Sequence, residues 1–186
     1  MNKFWGHLKT ITHHRHLVMR GCFRMGLIWQ GLTHDLSKYS PTEFLAGVRY
    51  YQGDRSPNTA EREANGYSLA WMHHKGRNRH HFEYWTDLSP KTRTYEPVDM
   101  PVRYLCEMVA DRIAACKTYQ GAAYTDASPL QYLDRANESR LVHPQTMKRL
   151  RFLLVMLAEH GEEETFRFMR EVVLKGKSFA EESLAP

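Results

Sequence analysis

Two short segments of the sequence place metal-binding residue types beside positively charged ones. They are residues 33–38 (THDLSK) and 72–81 (MHHKGRNRHH), and nine of the 11 histidines lie within residues 1–81. Imidazole is the commonest protein ligand for first-row transition metals, and a carboxylate such as Asp35 can bridge two ions. The pattern therefore predicts a metal site, with a set of solvated surface histidines as the alternative.

Helical periodicity indicates which histidines face the interior, because adjacent residues on a helix point about 100° apart. His14 shares the apolar face of a helix predicted over residues 4–25, whereas His13 falls on its polar side. His74 lies on the apolar stripe of a helix predicted from residue 57, whereas His73 does not. Periodicity therefore favours His14 and His74 as inward ligands.

Three further candidate ligands come from other parts of the chain. Asp111 lies on the apolar face of a helix predicted over residues 100–120. A buried carboxylate needs an ion-pair partner or a metal, and the histidines favour the metal. His80 and His81 follow His74 in the next loop, and the sequence leaves open which of the two coordinates.

The elements that must position these residues are predicted to be helical almost throughout. Strand signals are nearly absent, and residues 82–97 are predicted to form a long ordered loop. The length of 186 residues suits one domain, so we expect an all-α single-domain helical bundle over residues 1–186. The predicted helices cover residues 4–25, 41–52, 57–74, 100–120, 144–160 and 162–175, with Gly161 separating the last two and residues 144–175 serving as scaffold.

The composition of the chain indicates its cellular compartment and the kind of molecule that it binds. No apolar run approaches the roughly 20 residues of a membrane span, and the first residues lack a secretory signal, so we expect a cytoplasmic protein. The three cysteines have no CxxC spacing and read as small buried hydrophobes. The net charge of +5 favours an anionic substrate over nucleic acid, for which no readout motif is present. An oligomer remains open.

The ordered motifs resemble the HD-domain superfamily, helical metal-dependent phosphohydrolases named for their His-Asp doublet. The family order of a helix histidine, His-Asp with a following lysine, further histidines and a late aspartate is matched by His14, His34-Asp35, Lys38, His74, His80 or His81, and Asp111. More closely, HDLSKYSPTEF and HHKGRNRHHFEYW resemble the bacterial domain-of-unknown-function family 5662.

The superfamily resemblance implies a mono- or dinuclear site and hydrolysis of a phosphate ester, such as a nucleotide. His14, His34, Asp35 and Asp111 would hold one divalent ion, and His74 with His80 or His81 a second, with Asp35 bridging. The metal would be Fe, Mn, Zn, Ni, Co or Mg. Asp35 and Lys38 would be catalytic, and the phosphate would be neutralised by Lys38, Lys75, Arg77 and Arg79.

Two other functions remain open at this point. Relatives in the same superfamily with extra histidines hold a di-iron centre and oxidise a substrate with dioxygen, and the histidine-rich segments permit that chemistry too. A non-catalytic module, in which the basic face binds a nucleotide or nucleic acid and the metal is structural, is the third interpretation.

Overall fold

Helix α1 (Lys3–Arg24) lies against helix α6 (Val102–Gln120) at the centre of the fold. The computed structural model describes residues 2–136 and 141–177. The two helices approach closely at Gly21, where an added Cβ would lie 3.1 Å from the Cβ of Ala110. A larger residue at position 21 would force the helices apart, so this glycine allows side chains of α1 and α6 to meet.

The other described elements are one long helix, several short helices and turns, and one small antiparallel sheet. The predominance of helices confirms the predicted all-α class. In chain order they are α2 (Ile28–Thr33), a 3-10 turn (Leu36–Tyr39), α3 (Pro41–Arg49), α4 (Pro57–Asn65), α5 (Leu69–Lys75), a 3-10 turn (Phe82–Tyr84), β1 (Thr86–Leu88), β2 (Tyr95–Pro97), a 3-10 turn (Gly121–Ala123) after α6, α7 (Ser128–Arg135), α8 (Pro144–Phe168) and a π-helical turn (Met169–Val173).

The single helix predicted over residues 57–74 is wrong, because the chain breaks there into α4 and α5. Gly66 ends α4 with a φ of 81°, a left-handed conformation that glycine adopts without steric cost. Ser68 then caps α5, its hydroxyl accepting a hydrogen bond from the backbone N–H of Trp71 at 3.0 Å. Helix α3 also ends earlier than predicted, at Arg49 rather than near residue 52.

The predicted loop over residues 82–97 contains a β-hairpin, and α7 was not predicted. The hairpin pairs Asp87 with Glu96 in antiparallel register. Each strand has only three residues, β1 is exposed and β2 is partly buried, so both are too short to show the alternation of apolar and polar residues that identifies a strand from sequence.

Helix α8 packs against α6, and the π-helical turn contributes Met169 and Val173 to the same apolar core. Gly161 leaves helical geometry with a φ of 78°, in agreement with the predicted boundary at this residue. The three cysteines are free and buried, as predicted. Among the described residues, no helix combines the length and the apolar content needed to cross a membrane. The innermost side chains include Val18, Leu105, Val109, Leu150, Leu153, Leu154, Leu157 and Met169.

Candidate metal centre

Asp35 occupies the middle of the candidate site in an unusual backbone conformation. It follows the end of α2 and has a φ of 54° and a ψ of 24°, the left-handed region that aspartate tolerates better than most residues. Its side chain is completely buried. The left-handed turn therefore places a carboxylate inside the protein, between the elements that carry the histidines.

One oxygen of Asp35 faces a first set of donors, here named subsite A: His14, His34, Asp111 and Asp35 Oδ2. The Oδ2 atom lies 3.6 Å from Nε2 of His14 and 3.3 Å from Nε2 of His34. Asp111 Oδ1 lies 3.0 Å and 3.4 Å from the same two nitrogens. Subsite A thus joins α1, the end of α2 and α6.

The other oxygen of Asp35 faces a second set, here named subsite B: His74, His80, His81 and Asp35 Oδ1. The Oδ1 atom lies 3.3 Å from Nε2 of His74 and 3.4 Å from Nε2 of His80. His81 contributes a further nitrogen, and the donor atoms of the subsite all lie within 4.8 Å of one another. The structure therefore brings both His80 and His81 to the same subsite.

The distances between the donor atoms are those expected of ligands around one metal ion. Ligand atoms about 2.0–2.2 Å from one ion lie roughly 3 to 4.4 Å apart, and the measured separations fall in that range. The buried Nε2 atoms of His34, His80 and His81 make no hydrogen bond of good geometry among the described residues. Buried polar atoms are normally satisfied, and a metal ion bound at these nitrogens would supply the missing partner.

Two carboxylates that were not predicted from the sequence bond the Nδ1 atoms of the histidines, on the side of each ring away from the subsites. Glu107 Oε1 accepts hydrogen bonds from Nδ1 of His34 at 2.9 Å and of His80 at 3.2 Å. Glu43 Oε2 accepts from Nδ1 of His74 at 2.8 Å. Carboxylates in this position fix the ring orientation and leave Nε2 to face a metal. A signal was present for Glu107, which lies one helical turn before Asp111 on the same face of α6.

The charges at the centre leave Asp35 ionised. Burial raises the pKa of its carboxyl, but the positive charges of His34 and Lys38 outweigh burial and hold the pKa well below its usual range. Lys38 Nζ lies 2.6 Å from Asp35 Oδ2. Burial lowers the pKa of Lys38, but Asp35 and Asp111 outweigh it and raise this pKa above its usual range. The ammonium thus stays charged beside subsite A.

A cavity of about 600 Å³ opens onto the cluster. His14, Asp111 and His74 line it on the side of the metal centre, and Lys38 lies beside them. Its wall also includes His7 of α1, two turns before His14. The other cationic side chains that line the cavity are Arg55, Arg62 and Arg112.

Three of the four predicted substrate-binding cations lie elsewhere, because Lys75, Arg77 and Arg79 are not among the residues that line this cavity. Arg77 is exposed and donates to the backbone carbonyl of His73 at 3.2 Å. Arg79 donates to the hydroxyl of Tyr104 at 3.1 Å. Lys38 is the one member of the predicted set that the structure brings to the cluster.

Comparison with known proteins gives one match. No curated protein and no solved structure matches the chain. Residues 3–156 match the family of unknown function DUF5662. This range includes every candidate ligand from His14 to Asp111, together with Glu43 and Glu107. The match extends over most of the sequence, so the chain belongs to the DUF5662 family.

Proposed function

We propose that this protein is a metal-dependent phosphohydrolase with a dinuclear centre of the HD-domain type. The observation that carries the proposal is the division of donors by Asp35, whose Oδ2 faces subsite A and whose Oδ1 faces subsite B. A carboxylate in that position would bridge two ions. The order of the donors along the chain, from His14 through the His34-Asp35 doublet to Asp111, supports the assignment to the HD superfamily.

Phosphate ester hydrolysis suits this arrangement. Two divalent ions would supply a nucleophilic water at neutral pH and would stabilise charge on the phosphoryl oxygens. Subsites A and B would hold the ions, and the cavity would admit the ester from the side of His14 and His74. Lys38 lines the same cavity and carries a positive charge that can pair with a phosphoryl oxygen.

The experiment that tests the proposal compares wild type with Asp35→Asn, because asparagine accepts the left-handed backbone and removes only the charge. Metal content is measured by plasma mass spectrometry, and phosphatase activity with p-nitrophenyl phosphate and a panel of nucleoside monophosphates and sugar phosphates. We expect about two ions per wild-type chain, activity that depends on them, and loss of both in the variant. A wild type that takes up no ion, or that holds two ions and hydrolyses no ester, contradicts the proposal.

A second candidate is a di-iron oxygenase, favoured by the preponderance of nitrogen donors. Five histidines and two aspartates make up the two subsites. Geometry and metal availability, rather than ligand type alone, decide which metal such a site holds. Oxygen consumption by the iron-loaded protein, measured beside the phosphatase assay on the same preparation, distinguishes the two reactions.

We also propose a class of substrate and a cellular compartment for this protein. We propose an anionic, phosphorylated small molecule as the substrate, because Lys38 lines the cavity beside the candidate subsites and bound divalent ions would add positive charge there. We place the protein in the cytoplasm, where free thiols such as Cys22, Cys106 and Cys116 stay reduced.

A further inference from the structure

One carboxylate oxygen contacts a histidine from each subsite. Glu107 Oε1 lies 2.9 Å from Nδ1 of His34, which belongs to subsite A, and 3.2 Å from Nδ1 of His80, which belongs to subsite B. The rings of these two histidines are adjacent, with centroids 4.3 Å apart. The orientation of each ring therefore depends on the same atom.

The position of Glu107 is itself fixed from behind. Its second oxygen, Oε2, accepts a hydrogen bond from Nε2 of Gln30 at 2.7 Å, and Gln30 Oε1 accepts one from Nε of Arg103 at 2.9 Å. Glu107 is only 5% exposed, so water competes little with these bonds. If the Glu107 carboxylate moves together with one histidine ring, its hydrogen bond to the other ring must change.

Glu43 provides the contrast within the same centre. Its Oε2 accepts from His74 of subsite B at 2.8 Å, and its Oε1 from His73 at 2.6 Å, which belongs to neither subsite. Removing the charge of Glu43 would therefore disturb one ligand of one subsite. Removing the charge of Glu107 would disturb one ligand of each.

We propose that Glu107 is a positioning residue that couples the two metal subsites, so that the two ions bind with positive cooperativity. Subsite A would hold its ion partly through His34, whose Nδ1–H is directed at Glu107, and this bond would limit the orientations of the carboxylate that remain for His80 in subsite B. The coupling is reciprocal, because each ion must raise the affinity for the other by the same factor. This inference rests on the proposed dinuclear centre and does not depend on the reaction.

The experiment measures Mn²⁺ binding to the full-length apoprotein by equilibrium dialysis, with no substrate present. We expect wild type to bind two ions with a Hill coefficient above 1. Glu107→Gln should weaken both ions by about 10- to 100-fold and remove the cooperativity, whereas the matched Glu43→Gln should weaken only one. Circular dichroism of each apoprotein shows whether it is folded. If Glu107→Gln does not fold, Gln30→Met replaces it, because that variant removes the hydrogen bond from Gln30 to Glu107, together with those between Gln30 and Arg103, and keeps the Glu107 carboxylate.

The outcomes separate the coupling from the centre itself. Two ions that bind wild type independently, or a Glu107→Gln variant that weakens only one ion, overturn the coupling and leave the dinuclear centre intact. A wild type that binds no Mn²⁺, and equally no Fe²⁺, Zn²⁺, Co²⁺, Ni²⁺ or Mg²⁺ in the same dialysis, overturns both.

Discussion

His14 Nε2 lies 3.0 Å from Asp111 Oδ1, across the interface between α1 and α6. His13, its neighbour in sequence, points about 100° away around the helix and is exposed. His14 and His13 therefore form a matched pair, because they have the same side chain and differ in whether it faces Asp111 or solvent.

This pair gives the first prediction. His14→Ala removes a donor of subsite A, so we expect the purified variant to retain about one ion per chain, whereas His13→Ala retains about two. Metal analysis of both variants beside wild type checks the expectation. Equal losses from the two would show that the histidines act through the surface charge of α1 instead of through coordination.

Lys38 and Arg79 give the second prediction, because both were expected to bind the phosphate and only Lys38 lines the cavity. Lys38→Gln removes a charge that would face the phosphoryl group, and we expect kcat/KM for p-nitrophenyl phosphate to fall about 100-fold. Metal content serves as the check that the centre survives. Arg79→Gln should leave kcat/KM unchanged, and a comparable loss there would restore the original prediction for residues 75–79.

Gly47 and His7 give a prediction about stability. A Cβ at position 47 would overlap the imidazole of His7, which is buried between the rings of Phe44 and Tyr51. We expect Gly47→Ala to lower the free energy of unfolding by about 1–3 kcal/mol in urea titrations, as overpacked cores do. In a His7→Ala background the same substitution should cost much less, and an equal cost in both backgrounds would mean that the clash is not the cause.

His7 also gives a pH prediction. Burial, and to a smaller extent the charge of Lys38, lower its pKa from 6.5 to about 4. The unfolded chain therefore binds a proton at higher pH than the native protein does, so the neutral imidazole favours folding above pH 6.5 and this stability is lost as the pH falls toward 4. We expect His7→Gln to remove roughly 2 to 3 kcal/mol of the acid destabilisation between pH 8 and pH 4.

The control for the pH prediction is His160→Gln, since His160 is exposed. Urea titrations of wild type and both variants at the two pH values give the comparison. The same loss of stability in wild type and in His7→Gln would show that His7 does not carry the effect.

Residues within one long helix were the easiest to place from sequence. His14 and Asp111 each lie on a single long helix with regular periodicity, so the inward face could be predicted. His74 is buried as predicted, but the helix that was to place it breaks at Gly66, so its position depends on the turn and on α5.

Residues that depend on contacts between distant segments could not be placed. Glu43 lies at the start of α3, yet its carboxylate contacts His73 and His74 from α5. Nothing near Glu43 in sequence indicates that pairing. Glu107 shares a face of α6 with Asp111, which marks it as a candidate, but only the tertiary structure shows that His34 and His80 approach it from two other segments.

The pairing of α1 with α6 also bears on how the chain folds. His14 and Asp111, the first and last donors of subsite A, lie about 100 residues apart in sequence, so an ion bound there would join distant parts of the chain. Because the complete set of donors comes together only in the folded chain, binding of the ion would add to the free energy of folding. Metal supply during synthesis would then govern how much of the protein reaches its folded state, in addition to how active that state is.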